Sequence, residues 1–250
     1  RMKSLPRQLS LGDINKEYIK EQADKQICSD LVDIARGVLG RPDLRLDFSK
    51  GDDAYTDGTT VTVPVRHKQR RLLTKHELAH IYFDSDLEMR KAFAEEMVDR
   101  LYPLSKKRDT LISSLCYLVN VLDDVRVNSC WGEVWPGDGS RMKDYFILEV
   151  GKETKSKLKA QLDKGESISL TNYLILRAVG KRLDCEWSVF DDDISDTLRS
   201  IRTQTFKALL VKAKSLLEKL IVAREKELEE NELIGLPAYT ADLGTSPPAA

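Results

Sequence analysis

His76, Glu77 and His80 stand in the run Lys75-His76-Glu77-Leu78-Ala79-His80-Ile81, an H-E-x-x-H motif in an apolar setting. On a helix, residues four apart project from one face, so the two imidazoles can grip one metal ion while Glu77 lies beside it. The chain has three histidines, and two of them occupy these positions. The chemistry this pattern serves is zinc-dependent hydrolysis. Zn2+ polarises a scissile carbonyl and acidifies its bound water, and a glutamate takes the proton and passes it to the leaving amine. An oxyanion stabiliser is also needed, and Tyr145 and Arg126 are candidates.

Catalytic zinc takes three protein ligands, so a third must come from elsewhere. Asp86 is the tenth residue after His76, but Phe83 stands where the sharp turn of that arrangement favours glycine. Glu88, Glu95 and Glu96 alternate with basic residues in a pattern that reads as a solvated helix face. Asn120-Val121-Leu122-Asp123-Asp124-Val125-Arg126-Val127-Asn128 places two carboxylates in an otherwise apolar helix, which is costly unless they are paired or bound to metal. Arg126 can pair with one of them, and zinc can account for the other. Asp124 shares a face with Asn120 and Asn128, whereas Asp123 points about 100° away.

The elements that must position these residues follow from periodicity. Residues 14–39 carry apolar side chains at helical spacing, with Asp13 or Asn15 to cap the start and Gly40-Arg41-Pro42 to end it. Residues 44–48 alternate as a strand, and Thr56-Asp57-Gly58-Thr59 reads as the turn of a hairpin leading into residues 60–65. Pro64 lacks a donor, which predicts an open edge there. Such an edge, through Thr60, Val61, Thr62 and Val63, would hold an extended substrate backbone by strand addition. The basic run Arg66, His67, Lys68, Arg70 and Arg71 reads as a solvated loop and helix start.

Helices are predicted over residues 70–83, 87–101 and 108–131, with Gly137-Asp138-Gly139 as a loop after the last. Further helices are predicted at 144–162 and 170–183. One long amphipathic helix is predicted over 194–233, serving as a core stripe, a scaffold arm or a dimer contact.

The histidine pair followed by Asp124 in the Asn-x-x-(acid)-Asp-x-Arg-x-(polar) helix resembles the zincin-type, gluzincin-like metallopeptidase domains found next to von Willebrand factor A domains, including relatives of the cobaltochelatase CobT subunit. Tyr55-Thr56-Asp57-Gly58 with Val61-x-Val63-Pro64, and Trp135-Pro136-Gly137, are similar to stretches flanking the motif in those domains. The resemblance spans residues 54–137. It implies a zincin-like core, His76, His80 and Asp124 as zinc ligands with Asp123 in reserve, Glu77 as general base, and Arg126 orienting the acid pair. The chain departs from the pattern in lacking a metal-ion-dependent adhesion sequence, and in having Asp123 and Asn128 where related helices often carry Glu.

Composition bounds the partners. With 40 basic and 41 acidic residues the net charge is −1, which supplies no overall field toward nucleic acid or an anionic membrane. No apolar run approaches a membrane span, and the N-terminus has no signal-peptide core. The four scattered cysteines form no Cys-x-x-Cys pair, so a reducing, cytoplasmic setting is expected. Together these predict an α+β, mainly α protein with a small hairpin or sheet before the motif helix. Residues 1–150 form the expected core, 151–234 a helical extension, and 235–250 a linker or tail. The expected partners are a protein or peptide substrate and an assembly partner on the C-terminal helices. The rival reading is a metal-binding assembly module with little or no peptidase activity.

Overall fold

A computed structural model of the chain describes residues 11–51, 53–102, 106–146 and 150–230, with side chains from 18 to 220. The fold is mainly helical with one three-stranded sheet, as the periodicities predict. The described chain divides into two compact units, Arg1–Tyr82 and Phe83–Ala250, a division inside the stretch read from sequence as one core. The expected linker at 235–250 lies outside the described residues.

The first unit begins with helix α1 (Leu11–Leu39). Gly40 takes a left-handed φ of 60°, and the Arg41 N–H donates to the Arg36 carbonyl at 3.0 Å, closing the helix in a Schellman turn. Strands β1 (Arg45–Ser49), β2 (Tyr55–Thr56) and β3 (Thr60–Pro64) follow. The predicted hairpin joins β2 to β3 around Gly58, whose φ is 86°. Asp57 Oδ1 accepts from the Thr59 and Thr60 N–H groups at 2.8 and 2.6 Å. Burial pushes the Asp57 carboxyl up, but these bonds outweigh it and hold the group below its ordinary range.

The sheet order is β1-β3-β2, with β1 and β3 parallel and β2 and β3 antiparallel. This corrects the edge-strand expectation. β3 is the central strand, with Thr60 to Val63 in register with β1 on one side and Val61 and Thr62 in register with β2 on the other. Val61 and Val63 are fully buried, Thr62 is 5% exposed, and Val61 and Thr62 are paired on both sides, so the middle of this strand is core and has no edge on which to add a substrate strand. Pro64 is tolerated because the Val65 N–H, one residue on, bonds the Ser49 carbonyl of β1. The proline nitrogen therefore faces the other side, past the end of the two-residue β2.

Helix α2 (Arg70–Tyr82) packs on β2, β3 and α1. Asp24 of α1 is 7% exposed and accepts from Arg71 Nε at 2.7 Å, with Arg70 Nε 3.9 Å away. The end of the predicted basic run is thus tied to α1. Cys28 is fully buried beside it, and burial pushes its thiol pKa up.

Among the described residues the second unit is all helical. Its hub is α4 (Arg108–Val134), which contacts α3 (Leu87–Leu101), α5 (Pro136–Tyr145), α7 (Leu170–Ala178) and α9 (Phe206–Glu230). Helix α6 (Gly151–Leu162) packs on α7, and α8 (Asp191–Ser200) on α7 and α9. One core contains Phe93, Met97, Leu122, Tyr173, Leu174, Ile194 and Leu209. Tyr173 is fully buried and donates to Asp191 Oδ1 at 2.6 Å; burial and this acceptor push its hydroxyl pKa far up.

Several boundaries differ from the periodic reading. The stretch expected as a loop at residues 137–139 lies inside α5, because Pro136 is set for a first helical position. The stretch expected as a helix at 144–162 holds the end of α5, helical backbone at Phe146 and Val150, and α6, with residues 147–149 outside the described residues, whereas the helix expected to reach 183 stops at Ala178, before the left-handed Gly180. The long helix expected over 194–233 is broken at residues 201–205, where Thr205 Oγ1 accepts from the Ala208 N–H at 3.3 Å. Its described apolar stripe, including Leu209, Ala213, Leu216 and Leu220, is buried in the core of this unit.

The corner between α4 and α5 depends on two glycines. A Cβ at Gly139 would sit 2.4 Å from the Gly132 Cα, a backbone atom with no means of retreat. Gly139→Ala is expected to lower stability by roughly 1–3 kcal/mol, the scale of overpacking, in urea unfolding. Gly137→Ala, whose Cβ meets nothing within 4 Å, is the control expected to leave the midpoint near its starting value.

Candidate metal centre

The motif lies, as expected, within a single helix. On α2 the rings of His76 and His80 stand edge to face, with centroids 4.9 Å apart and planes at 81°. His76, Glu77 and His80 are 7%, 6% and 6% exposed. Three polar side chains buried together on one turn are expensive unless each is paired or coordinated. Elsewhere on the helix the polar groups serve structure. Thr74 Oγ1 donates back to the Arg70 carbonyl at 2.9 Å, and Arg71 reaches Asp24.

The two acids of α4 have different environments. Asp123 is fully buried and both of its oxygens are engaged: Arg126 Nε donates to Oδ1 at 2.7 Å and Ser85 Oγ to Oδ2 at 2.6 Å. Arg126, 2% exposed, also donates through Nη1 to the Phe83 carbonyl at 2.9 Å and through Nη2 to Ser85 Oγ at 3.0 Å. Its guanidinium carbon lies 5.6 Å from the centre of the Phe206 ring. Each guanidinium nitrogen is committed to this network, which removes Arg126 from the oxyanion candidates. Asp124, half-buried, accepts from Asn120 Nδ2 at 3.3 Å, and the Asn120 carbonyl oxygen accepts from Arg90 Nη1.

One ligand atom each from His76, His80 and Asp124 lie within 4.8 Å of one another, the one such group of His, Cys, Asp or Glu among the described residues. Two imidazoles and one carboxylate are a donor set suited to zinc, with a fourth position left for water. Of the two adjacent acids, Asp124 is the one that joins the histidines; Asp123 is consumed by Arg126 and Ser85.

The other candidates have different work. Asp86 is exposed and caps α3, accepting from the Met89 N–H at 2.8 Å. Glu96 pairs with Lys214 at 2.7 Å, and Glu88 is exposed on the first turn of α3. His67 Nδ1 accepts from the Gln69 N–H at 3.1 Å, in the turn before α2. Tyr145, at the end of α5, stands edge to face with Phe146 at 5.3 Å between centroids. Ser85 and Arg90 were not singled out from sequence. Nothing in their spacing marks them, because their partners lie 38 and 30 residues further on.

Compared with known proteins, the chain matches no family model, no curated protein and no solved structure.

The unequal surroundings of the adjacent acids give a sharp test by chemical denaturation of the metal-free protein. Asp123→Ala leaves a buried guanidinium without its counter-charge and is expected to cost roughly 3–5 kcal/mol. Asp124→Asn keeps an acceptor for Asn120 and is expected to cost no more than about 1 kcal/mol. Equal losses would contradict the division of roles.

Proposed function

We propose that this chain is a zinc-dependent peptidase of the zincin type, with His76, His80 and Asp124 as ligands and Glu77 as general base. The observation that carries this reading is the approach of the three ligand atoms to within 4.8 Å on buried or half-buried residues. The presence of Glu77 next to His76 adds to it, since a purely structural metal site has no use for a base. Zinc bound by this donor set supplies Lewis acidity and brings the pKa of water toward neutrality.

The remaining work falls to the protein. Glu77 takes the proton from the attacking water on a carboxylate oxygen and delivers it to the amine as the peptide bond breaks, so it ends the cycle as it began. Its burial keeps bulk water from competing for that proton. Arg126 holds Asp123, and with it the turn of α4 from which Asp124 projects. A peptide joining the sheet would do so on β1 or β2, the outer strands, and Tyr55 of β2 is 48% exposed.

A second reading, a metal-bearing assembly module, draws support from α1, where Tyr18, Ile19, Ile34 and Val38 are each more than 60% exposed. Such apolar exposure on one helix suits a protein partner. No helix among the described residues is long and apolar enough to cross a membrane, so a bilayer-spanning role for them is not part of either reading.

Elemental analysis of the purified chain is expected to find one zinc per molecule, lost in His76→Gln. Glu77→Gln should keep the zinc and lose peptidase activity on an unfolded protein such as casein by at least about 100-fold, as removal of a general base does. Zinc binding by both the parent and Glu77→Gln, with neither cleaving the substrate, would favour the assembly module; a parent chain without zinc would end the metal reading.

A further inference from the structure

We propose that the groove between α6 and α7 binds a short acidic peptide, with Lys157 and Lys164 taking its carboxylates and Gln161 taking a backbone N–H between them. The groove lies wholly in the second unit and is independent of the metal reading.

Side-chain spacing builds the groove. Thr154, Lys157, Leu158 and Gln161 stand at i, i+3, i+4 and i+7 on one face of α6, and Asn172 and Ile175 stand three apart on α7, which packs against it. Together they line a cavity of about 470 Å3, a volume that suits a small ligand. Leu158, 2% exposed, and the half-buried Ile175 supply its apolar lining. Where α6 ends, the Gln161 carbonyl accepts from the N–H groups of Lys164 and Glu166, each at 3.0 Å, and Gly165 takes a φ of 75°. That turn keeps Lys164 at the edge of the groove, beside Gln161.

Charge, an unmet acceptor and spacing select the ligand. Among the described residues that line the groove there are two lysines and no carboxylate. Residues 152–166 carry five lysines against three acids in a chain whose net charge is −1, so the groove sits on a basic island. Lys157 pairs with Glu153 at 2.8 Å, but the two side chains are 73% and 68% exposed, and a bound carboxylate can replace so weak a pair. Gln161 Oε1 is shielded from solvent and has no hydrogen-bond partner. The amide rotates within a broad well about its last bond, so it can turn to meet a ligand donor.

A simple anion has charge but brings no donor for that oxygen. A peptide with two neighbouring acidic side chains brings both, because a backbone N–H lies between its carboxylates. Lys157 and Lys164 are about 10 Å apart along the helix direction with Gln161 between them, which matches that order. Asn172 Nδ2 and Thr154 Oγ1 add donors for the peptide carbonyls.

The test is calorimetric titration of the whole metal-free chain with the capped dipeptide acetyl-Asp-Glu-amide, using acetyl-Asn-Gln-amide as a neutral probe of the same shape. Saturable binding of the acidic dipeptide is expected with a Kd below about 1 mM. The neutral one should bind at least about 10-fold more weakly. Lys157→Gln and Lys164→Gln should each weaken binding by roughly 3–10-fold, whereas Lys159→Gln, which removes the same charge from outside the groove, should change it less than about 2-fold. Gln161→Met keeps the length of the side chain and removes the unmet acceptor. It should weaken binding while leaving the thermal midpoint of the free chain unchanged or raised, since a buried group without a partner is lost.

Equal binding of the two dipeptides, or no saturation by the acidic one at about 10 mM, would overturn the proposal. Equal losses in Lys159→Gln and Lys164→Gln would overturn it too, by showing diffuse attraction to a basic helix. A lowered midpoint with unchanged binding in Gln161→Met would reduce that residue to helix packing and remove the donor that singles out a peptide.

Discussion

The ion pair between Arg126 and Asp123 governs the second unit. Two charges with almost no exposure would ordinarily weaken a core, since the desolvation of each costs several kcal/mol. Here the cost is offset by complete hydrogen bonding. Ser85 donates to Asp123 and accepts from Arg126, so three side chains close a ring, and the Phe83 carbonyl and the Phe206 face take the remaining sides of the guanidinium. Because Arg126 is the shared member, the segment 83–85, the middle of α4 and the start of α9 are held by one group.

That ring also explains how two adjacent aspartates differ in role. A helix turns about 100° per residue, so neighbours face different surroundings. Asp123 faces the arginine and becomes part of the scaffold. Asp124 faces Asn120 and accepts from that neutral amide.

Much of this was legible in the chain, and what was not has physical reasons. The motif helix, the hairpin at Asp57-Gly58 and the sharing of a helix face by Asn120 and Asp124 are local, written in spacings of two to four residues. The assignment of Arg126 to one acid of the pair was legible as a requirement, since a buried guanidinium must be paired. The place of β3 was not. Its alternating pattern and Pro64 fit an edge, but strand order depends on β1 reaching over to pair in parallel, a non-local choice that leaves no period in the sequence. Ser85 and Arg90 were hidden for the same reason, being ordinary polar residues until the helices meet. The break at residues 201–205 was missed because the apolar stripe continues in phase across it; only the capping hydroxyl of Thr205 marks the stop.

The adjacency of Asp123 and Asp124 makes α4 a phase-sensitive part of the chain. Substituting one side chain alters one role, whereas inserting or deleting a single residue between the helix start at Arg108 and Asn120 would turn every later residue by about 100° relative to what precedes it. An insertion would carry Asp123 toward the place of Asp124 and a deletion would carry Asp124 toward the place of Asp123, with Arg126 turned away from Ser85 in either case. Variation of this protein over evolutionary time should accordingly be rich in exchanges along α4 and poor in changes of its length, with insertions diverted to the connections on either side.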